Sequence, residues 1–173
     1  MQEKSMQTSL PKYNVVQNNE DLQKVFAVRS IVFVEEQNIP YSEEIDGFDF
    51  SSVHFLGTIE NEPVAAARMQ LFKDYVKIER LAVRKAYRGK GIGKEMFAFV
   101  LNHIAELKYN KIVLHAQSYL VKFYEDFGFE RKGEMFLEVN IEHYCMEKKY
   151  KVGASTAYNK RFGVSRGVCS RTV

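Results

Sequence analysis

The residues best placed to do chemistry lie in one stretch, Arg84-Lys85-Ala86-Tyr87-Arg88-Gly89-Lys90-Gly91-Ile92-Gly93. Four cations surround three glycines there. Glycines let a backbone approach a ligand with no Cβ in the way. Where such a turn opens a helix, the first N–H groups lack intrahelical partners and the helix dipole adds positive potential, so an anion is held. The spacing Arg-x-x-Gly-x-Gly is neither a Walker A loop nor a dinucleotide fingerprint. Read alone, it fits a phosphate cradle and a glycine-rich turn beside a solvated basic patch equally well. A second group, Glu43, Glu44, Asp46 and Asp49, crowds one short segment behind Pro40. It suits either the attraction of a cationic amine or a solubilising loop. His54 is isolated, and His115 and His143 have no partner pattern. No Cys/His or His/Asp spacing suggests a metal, so none is expected. There is no Gly-x-Ser-x-Gly elbow.

The elements that must position these groups follow from periodicity. Residues 13–17 read as a short strand, and Asn18-Asn19 as a turn and helix cap. From Glu20 apolar residues recur at mixed three- and four-residue steps, which predicts a helix ending before Pro40. Residues 39–50 read as an acidic loop. Three strands joined by short turns follow at 54–60, 63–72 and 75–83. In the third, alternation slips at Arg80-Leu81, which suggests a bulge. Ile92, Met96, Phe99, Val100, His103, Ile104 and Leu107 form the stripe of a long amphipathic helix. Residues 111–115 read as a buried strand. Ser118 is a candidate cap for a helix closed by Gly128. Two short strands, 134–139 and 143–149, complete the pattern. The order predicts an α/β (α+β) fold: a mixed central sheet of six or seven strands flanked by about four helices.

With the clamp set between an alternating strand and an amphipathic helix, a resemblance emerges. Arg88 to Gly93 resembles motif A of the GNAT acetyltransferase superfamily, [Q/R]-x-x-G-x-[G/A]. Ala116-Gln117 and Phe123-Tyr124-Glu125-Asp126-Phe127-Gly128-Phe129 resemble motif B. The two motifs cover residues 75–129. Further features resemble the ElaA- and YjcF-type branch: Arg29, Val32-Phe33-Val34-Glu35-Glu36-Gln37-Asn38-Ile39-Pro40, Glu44-Ile45-Asp46, His54, and Phe136-Leu137-Glu138 with Ile141-Glu142-His143.

The resemblance implies a GNAT fold and an N-acetyltransferase moving an acetyl group directly from acetyl-CoA to a primary amine of a small molecule or peptide. It implies coenzyme A contacts at Leu81, Ala82, Val83, Arg88, Gly89, Lys90, Gly91, Ile92, Gly93, Lys94, Gln117 and Tyr124. Backbone N–H groups near residues 81–83 would polarise the thioester carbonyl. Glu79 would deprotonate the amine, although a glutamate there could equally pair with Lys77, Arg80 or Arg68. Tyr124 would protonate the departing sulfur, or else pack in the core as Phe123 and Phe127 do. Candidates for the acceptor side are Arg29, Phe33, Glu36, Glu44, Asp46, His54 and Arg68. An acyl-homoserine lactone synthase-like enzyme is a rival, with a similar basic-aromatic-acidic series in its first half. The clamp and the lack of tryptophan count against it. A non-catalytic acyl-CoA sensor is the other rival, because fold and function are separable.

Composition narrows the setting. The 173 residues suit one domain, with 46% apolar and 27% charged residues. The net charge of +3 is uneven: residues 153–173 hold Lys160, Arg161, Arg166 and Arg171 with no acid, which leaves residues 1–152 at −1. A near-neutral domain argues against nucleic acid as a partner. No apolar run could cross a bilayer, and the first residues lack the apolar stretch of a signal peptide. Two cysteines, Cys145 and Cys169, give no disulfide framework, so a reducing, cytoplasmic setting is expected. Residues 1–11 read as a flexible lead-in, 12–152 as a single domain, and 153–173 as a disordered tail. A homodimer stays open.

Overall fold

The structure is a computed structural model that describes residues 9–149. The tail at 153–173 and most of the lead-in therefore lie outside the described residues. Seven strands form one sheet in the order β1-β2-β3-β4-β5-β7-β6. They are β1 (Lys12–Val15), β2 (Val53–Ile59), β3 (Glu62–Leu71), β4 (Val76–Val83), β5 (Lys111–Gln117), β6 (Glu130–Glu138) and β7 (Ile141–Lys149). Four α-helices accompany them: α1 (Asn19–Arg29), α2 (Tyr41–Glu44), α3 (Ile92–Glu106) and α4 (Val121–Glu125). All neighbouring pairs are antiparallel except β4 and β5.

Helix α1 starts as expected: the Asn18 side chain accepts a hydrogen bond from the Asp21 N–H at 2.8 Å. It does not run on as a regular helix. Ser30–Glu36 is π-helical. The wider turn advances the apolar phase, which explains the mixed steps in the sequence. Together these segments bury Val25, Val28, Val32 and Phe33 against Leu56, Ala66 and Ala82 of β2, β3 and β4. The opposite face of the sheet carries the larger core. There Phe97, Met96 and Ile104 of α3 and Phe127 meet Ala65, Met69, Ile78, Ile112, Leu114 and Met146. Ser118 is not the cap expected of it. Ser118–Leu120 is a 3₁₀ turn that leads into α4 without a side-chain cap. Gly128 does close that unit, at φ 82°.

The segment at 39–50 is more ordered than an acidic loop. It contains α2 and a 3₁₀ turn at Asp49–Ser51, and it buries Glu44 and Asp49.

Two irregularities in β4 shape the molecule. Ala66 pairs with Ala82 but Arg68 pairs with Glu79, so β4 carries one surplus residue where Arg80 has φ 53°. This is the bulge expected at Arg80-Leu81. Beside it, β4 and β5 part. Their parallel ladder is confined to Val76↔Ile112, Lys77↔Val113 and Ile78↔Leu114. Beyond those pairs the strands splay, and a wedge opens in the middle of the sheet.

Candidate active site

The wedge is the apex of a cleft of about 650 Å³. One wall is β4 from Glu79 to Val83. It has a strand partner on the β3 side only, so its backbone polar groups on the other side open into the cleft. The other wall holds His115 and Gln117 of β5, then Tyr119, Phe123 and Tyr124. Residues 42–48 and the β6–β7 turn close the far end.

Arg88 and Gly93 line the cleft beside Leu81, Ala82 and Val83. Gly89 has φ 75° and Gly91 φ 86°, conformations that favour glycine, and Gly91 is the N-cap of α3. No side chain caps the helix there, so its first N–H groups lack intrahelical partners. Gly89, Lys90, Gly91, Ile92 and Lys94, expected to contact coenzyme A, adjoin Arg88 and Gly93 in the chain but do not line the cleft. Arg88 is held by Val83, whose carbonyl accepts from Nε at 2.7 Å, and by Glu36 at 2.6 Å. Glu36, expected on the acceptor side, does not line the cleft and pairs instead with Arg88. Gln117 donates to Gln37 at 3.0 Å and accepts from the Tyr119 hydroxyl.

Tyr124 lines the cleft from α4. Its ring is fixed edge-on against Phe97 at 5.1 Å and Phe123 at 5.0 Å. Among the described residues no group hydrogen-bonds its hydroxyl. Burial, with a smaller contribution from Tyr119, pushes its pKa well above the ordinary tyrosine value. The hydroxyl therefore keeps its proton at neutral pH and can donate it.

Glu79 also lines the cleft, but it is poorly disposed to accept a proton. Its Oε2 takes hydrogen bonds from Arg68 at 2.8 and 3.2 Å, and Oε1 meets Lys77 at 2.8 Å. Burial opposes its ionisation, yet Lys77 and then Arg68 outweigh burial and hold the carboxyl below the usual glutamate range.

The acceptor candidates divide. Phe33, Glu44, Asp46 and Arg68 line the cleft, whereas Arg29 and His54 do not. Arg29 cannot touch a substrate there. It is fully buried and donates to Glu44 Oε1 at 2.5 Å, Asp49 Oδ1 at 2.5 Å and the Glu44 carbonyl at 2.8 Å. Arg68 makes five hydrogen bonds, to Asp46, Asp49 and Glu79. That is the full donor capacity of a guanidinium. Arg80 adds bonds to Glu44 at 2.6 Å and Asp46 at 3.4 Å. The acidic segment is thus a neutralised lattice: four carboxylates (Glu44, Asp46, Asp49, Glu79) against Arg29, Arg68, Arg80 and Lys77. It pins residues 41–51 to β3 and β4. His54 is buried too. Burial, the largest influence, lowers its pKa, so it stays neutral, and Nε2 donates to the Asp49 carbonyl at 2.7 Å.

One pair escaped the sequence reading. His115 Nδ1 lies 3.1 Å from Glu138 Oε2, and both residues line the cleft. No spacing rule could have joined them: β7 lies between their strands, and that order is not readable from the chain. Among the described residues no three His, Cys, Asp or Glu side chains are grouped to hold a metal ion. No described helix is long and apolar enough to cross a membrane.

Comparison with known proteins places the chain in a family. Residues 31–150 match the Acetyltransferase (GNAT) domain family. The chain belongs to the GNAT acetyltransferase family. Among GNAT relatives, the N-acetyltransferase YjcF of Bacillus subtilis is 35% identical over 135 residues, which cover 78% of this chain and 96% of that one. The ElaA protein of Escherichia coli is 34% identical over 134 residues, 74% of this chain and 87% of its own. Its crystal structure superposes with a TM-score of 0.74, covering 81% of this chain and all of that one. A GNAT acetyltransferase of Elizabethkingia anophelis with acetyl-CoA bound shares the fold at a TM-score of 0.63 and 14% identity, over 81% of this chain and 98% of its own. The GNAT assignment makes this chain an acyltransferase and accounts for the mixed sheet.

Proposed function

We propose that this protein transfers an acetyl group from acetyl-CoA to a primary amine of a small molecule or peptide, by direct attack within a ternary complex. The parting of β4 and β5 directly beneath the Arg88-x-x-Gly-x-Gly turn carries the reading. A pyrophosphate at the start of α3 would meet the N–H groups freed by Gly89 and Gly91 and the charge of Arg88. From there an acyl-pantetheine arm can follow the unpaired edge of β4, whose backbone groups suit its amides. The thioester would then reach the wedge between the bulge and Tyr124. N–H groups near residues 81–83 would polarise its carbonyl, and Tyr124 would protonate the sulfur as it leaves. The domain at 12–152 is the unit proposed to do this. A reducing, cytoplasmic setting is in keeping with the free thiol of Cys145.

The test is thiol release from acetyl-CoA with a panel of amines: alkylamines, aralkylamines, polyamines, amino-acid amides and peptide N-termini. Turnover with at least one amine is expected. Tyr124→Phe should lower kcat by roughly 10²-fold with acetyl-CoA affinity intact. Tight binding of acetyl-CoA without thiol release on any amine would reassign the chain as a binding module.

A further inference from the structure

We propose that His115, oriented by Glu138, is the base that takes the proton from the acceptor amine. The proposal rests on the acetyltransfer reading above and adds to it the group that activates the nucleophile.

Register places His115. The last ladder pair between the parting strands is Ile78↔Leu114. The next residue on β4 is Glu79 and the next on β5 is His115. They stand on either side of the wedge apex, where the thioester carbonyl would lie. Of the two, Glu79 has both oxygens occupied by cations. His115 is differently equipped. Its Nδ1 faces an acceptor-only carboxylate, since Glu138 is held below the usual glutamate range, first of all by its hydrogen bond to His115. Nδ1 must therefore carry the hydrogen, which leaves the Nε2 lone pair free for the substrate. A carboxylate behind an imidazole fixes the tautomer and stabilises the imidazolium that forms.

The surroundings support this orientation. The ring stands edge-on to Phe136 at 4.9 Å. Glu138 ends β6 at a two-residue turn, Val139-Asn140, with φ of 49° and 60°. A β-branched residue is rarely tolerated in that region, and the turn tips Glu138 over β7 towards β5. Other titratable groups near the ring are Lys77 and Glu79 of β4, Tyr119, and His143 and Cys145 of β7. Glu43 and Asp46 line the same cleft from the 41–51 segment. His143 is the closest rival, but its Nδ1 bonds the Ile141 carbonyl at 2.8 Å, a weaker stabiliser of positive charge than a carboxylate.

The proton balance is complete. The amine arrives as an ammonium ion, and His115 Nε2 takes one proton. The freed lone pair forms the N–C bond at the thioester carbonyl. As the C–S bond breaks, the sulfur takes the Tyr124 proton, and the tetrahedral nitrogen returns one to the tyrosinate. His115 releases its proton to solvent, and the products are the amide, CoA thiol and one proton.

The experiment compares wild type, His115→Gln, Glu138→Gln and Glu79→Gln. Thiol release from acetyl-CoA is measured from pH 5.5 to 9 with the amines of the panel, using phenethylamine as a fixed probe, and imidazole ¹⁵N NMR follows the histidines. Wild-type kcat/KM should rise through an acid limb as the catalytic base loses its proton. His115→Gln should lose about 10²-fold or more in kcat, and the limb with it. Glu138→Gln should lower kcat and let the ring hydrogen redistribute between Nδ1 and Nε2 in the ¹⁵N spectra, because the carboxylate that fixes the tautomer is gone. Glu79→Gln should keep the limb where it is. A His115→Gln enzyme that retains the limb, or an NMR titration placing the hydrogen on Nε2, overturns the proposal while acetyltransfer stands. A wild type that binds acetyl-CoA and acetylates nothing overturns both.

Discussion

Replacing Arg29 with methionine should unfold this protein far more readily than any surface change, because it strands two buried carboxylates. The guanidinium is fully buried and bonds Glu44 and Asp49, each at 2.5 Å. Breaking such a pair by removing one partner costs about 3–5 kcal/mol. Here the lower end applies, since Arg80 still meets Glu44 at 2.6 Å and Arg68 still meets Asp49 at 2.8 Å. A loss of about 3 kcal/mol in a domain of this size lowers Tm by roughly 6–12 °C. The chain has no tryptophan, so urea unfolding is best followed by far-UV circular dichroism. The midpoint should fall with the slope m unchanged. Arg29→Met with Glu44→Leu should recover about half the loss, because an apolar replacement removes the orphaned charge along with its partner. The same lattice positions α2, so the acceptor KM of Arg29→Met should rise while acetyl-CoA affinity holds. A single variant that loses less than about 1 kcal/mol, or a double variant no better than the single, would refute the view that charge pairing fastens the 41–51 segment.

Other consequences are as direct. Gly93 has ordinary backbone geometry, and a Cβ there would meet only Val83 Cγ2 at 3.6 Å. Gly93→Asp should therefore fold normally and weaken acetyl-CoA by at least roughly 10-fold in calorimetry, by setting a carboxylate against the pyrophosphate. Gly91→Asp would mix that effect with strain at φ 86°. Val139→Asn should raise stability by about 1 kcal/mol, read as a higher Tm, because asparagine tolerates the left-handed turn. Asp46 is pulled down to about 2, mainly by its hydrogen bonds from Arg68, and Asp49 and Glu79 are also held low. Their folded values lie below the unfolded ones, so their stabilisation is present above about pH 4 and drains away as pH falls towards 2. Acid titration of the unfolding midpoint should show that loss, and 1 M salt should reduce the contribution of the partly exposed Asp46.

What could be read in the chain was local in sequence. The bulge announced itself because alternation slips at Arg80-Leu81 within a single strand. The clamp needed only ten consecutive residues, and Gly128 closed α4 as its place after Phe127 implied. What could not be read depends on distant partners. Alternation tells which face of a strand a residue occupies, not which strand will lie beside it. Glu44 and Asp49 therefore resembled solvated acids, although Arg29, 15 and 20 residues away, neutralises both. His115 looked solitary for the same reason, since β7 inserts itself between β5 and β6. Burial reversed the reading of Arg29 and His54, whose side-chain types suit a binding surface but whose positions lie behind one.

The π-helical stretch at Ser30–Glu36 gives the segment leading from α1 an unusual sensitivity to length. An i→i+5 turn holds about one residue more than an α-helical turn, and each α-helical residue rotates its successors by about 100°. Removing any one residue from Ser30–Glu36 would let the stretch relax into an ordinary helix. Everything downstream would then swing by about a quarter turn. Phe33 would leave its packing against β3 and β4, Glu36 would leave Arg88, and Gln37 would leave Gln117. Substitutions in this stretch act one side chain at a time. A single deletion would uncouple the segment after α1 from both the Arg88 turn and β5.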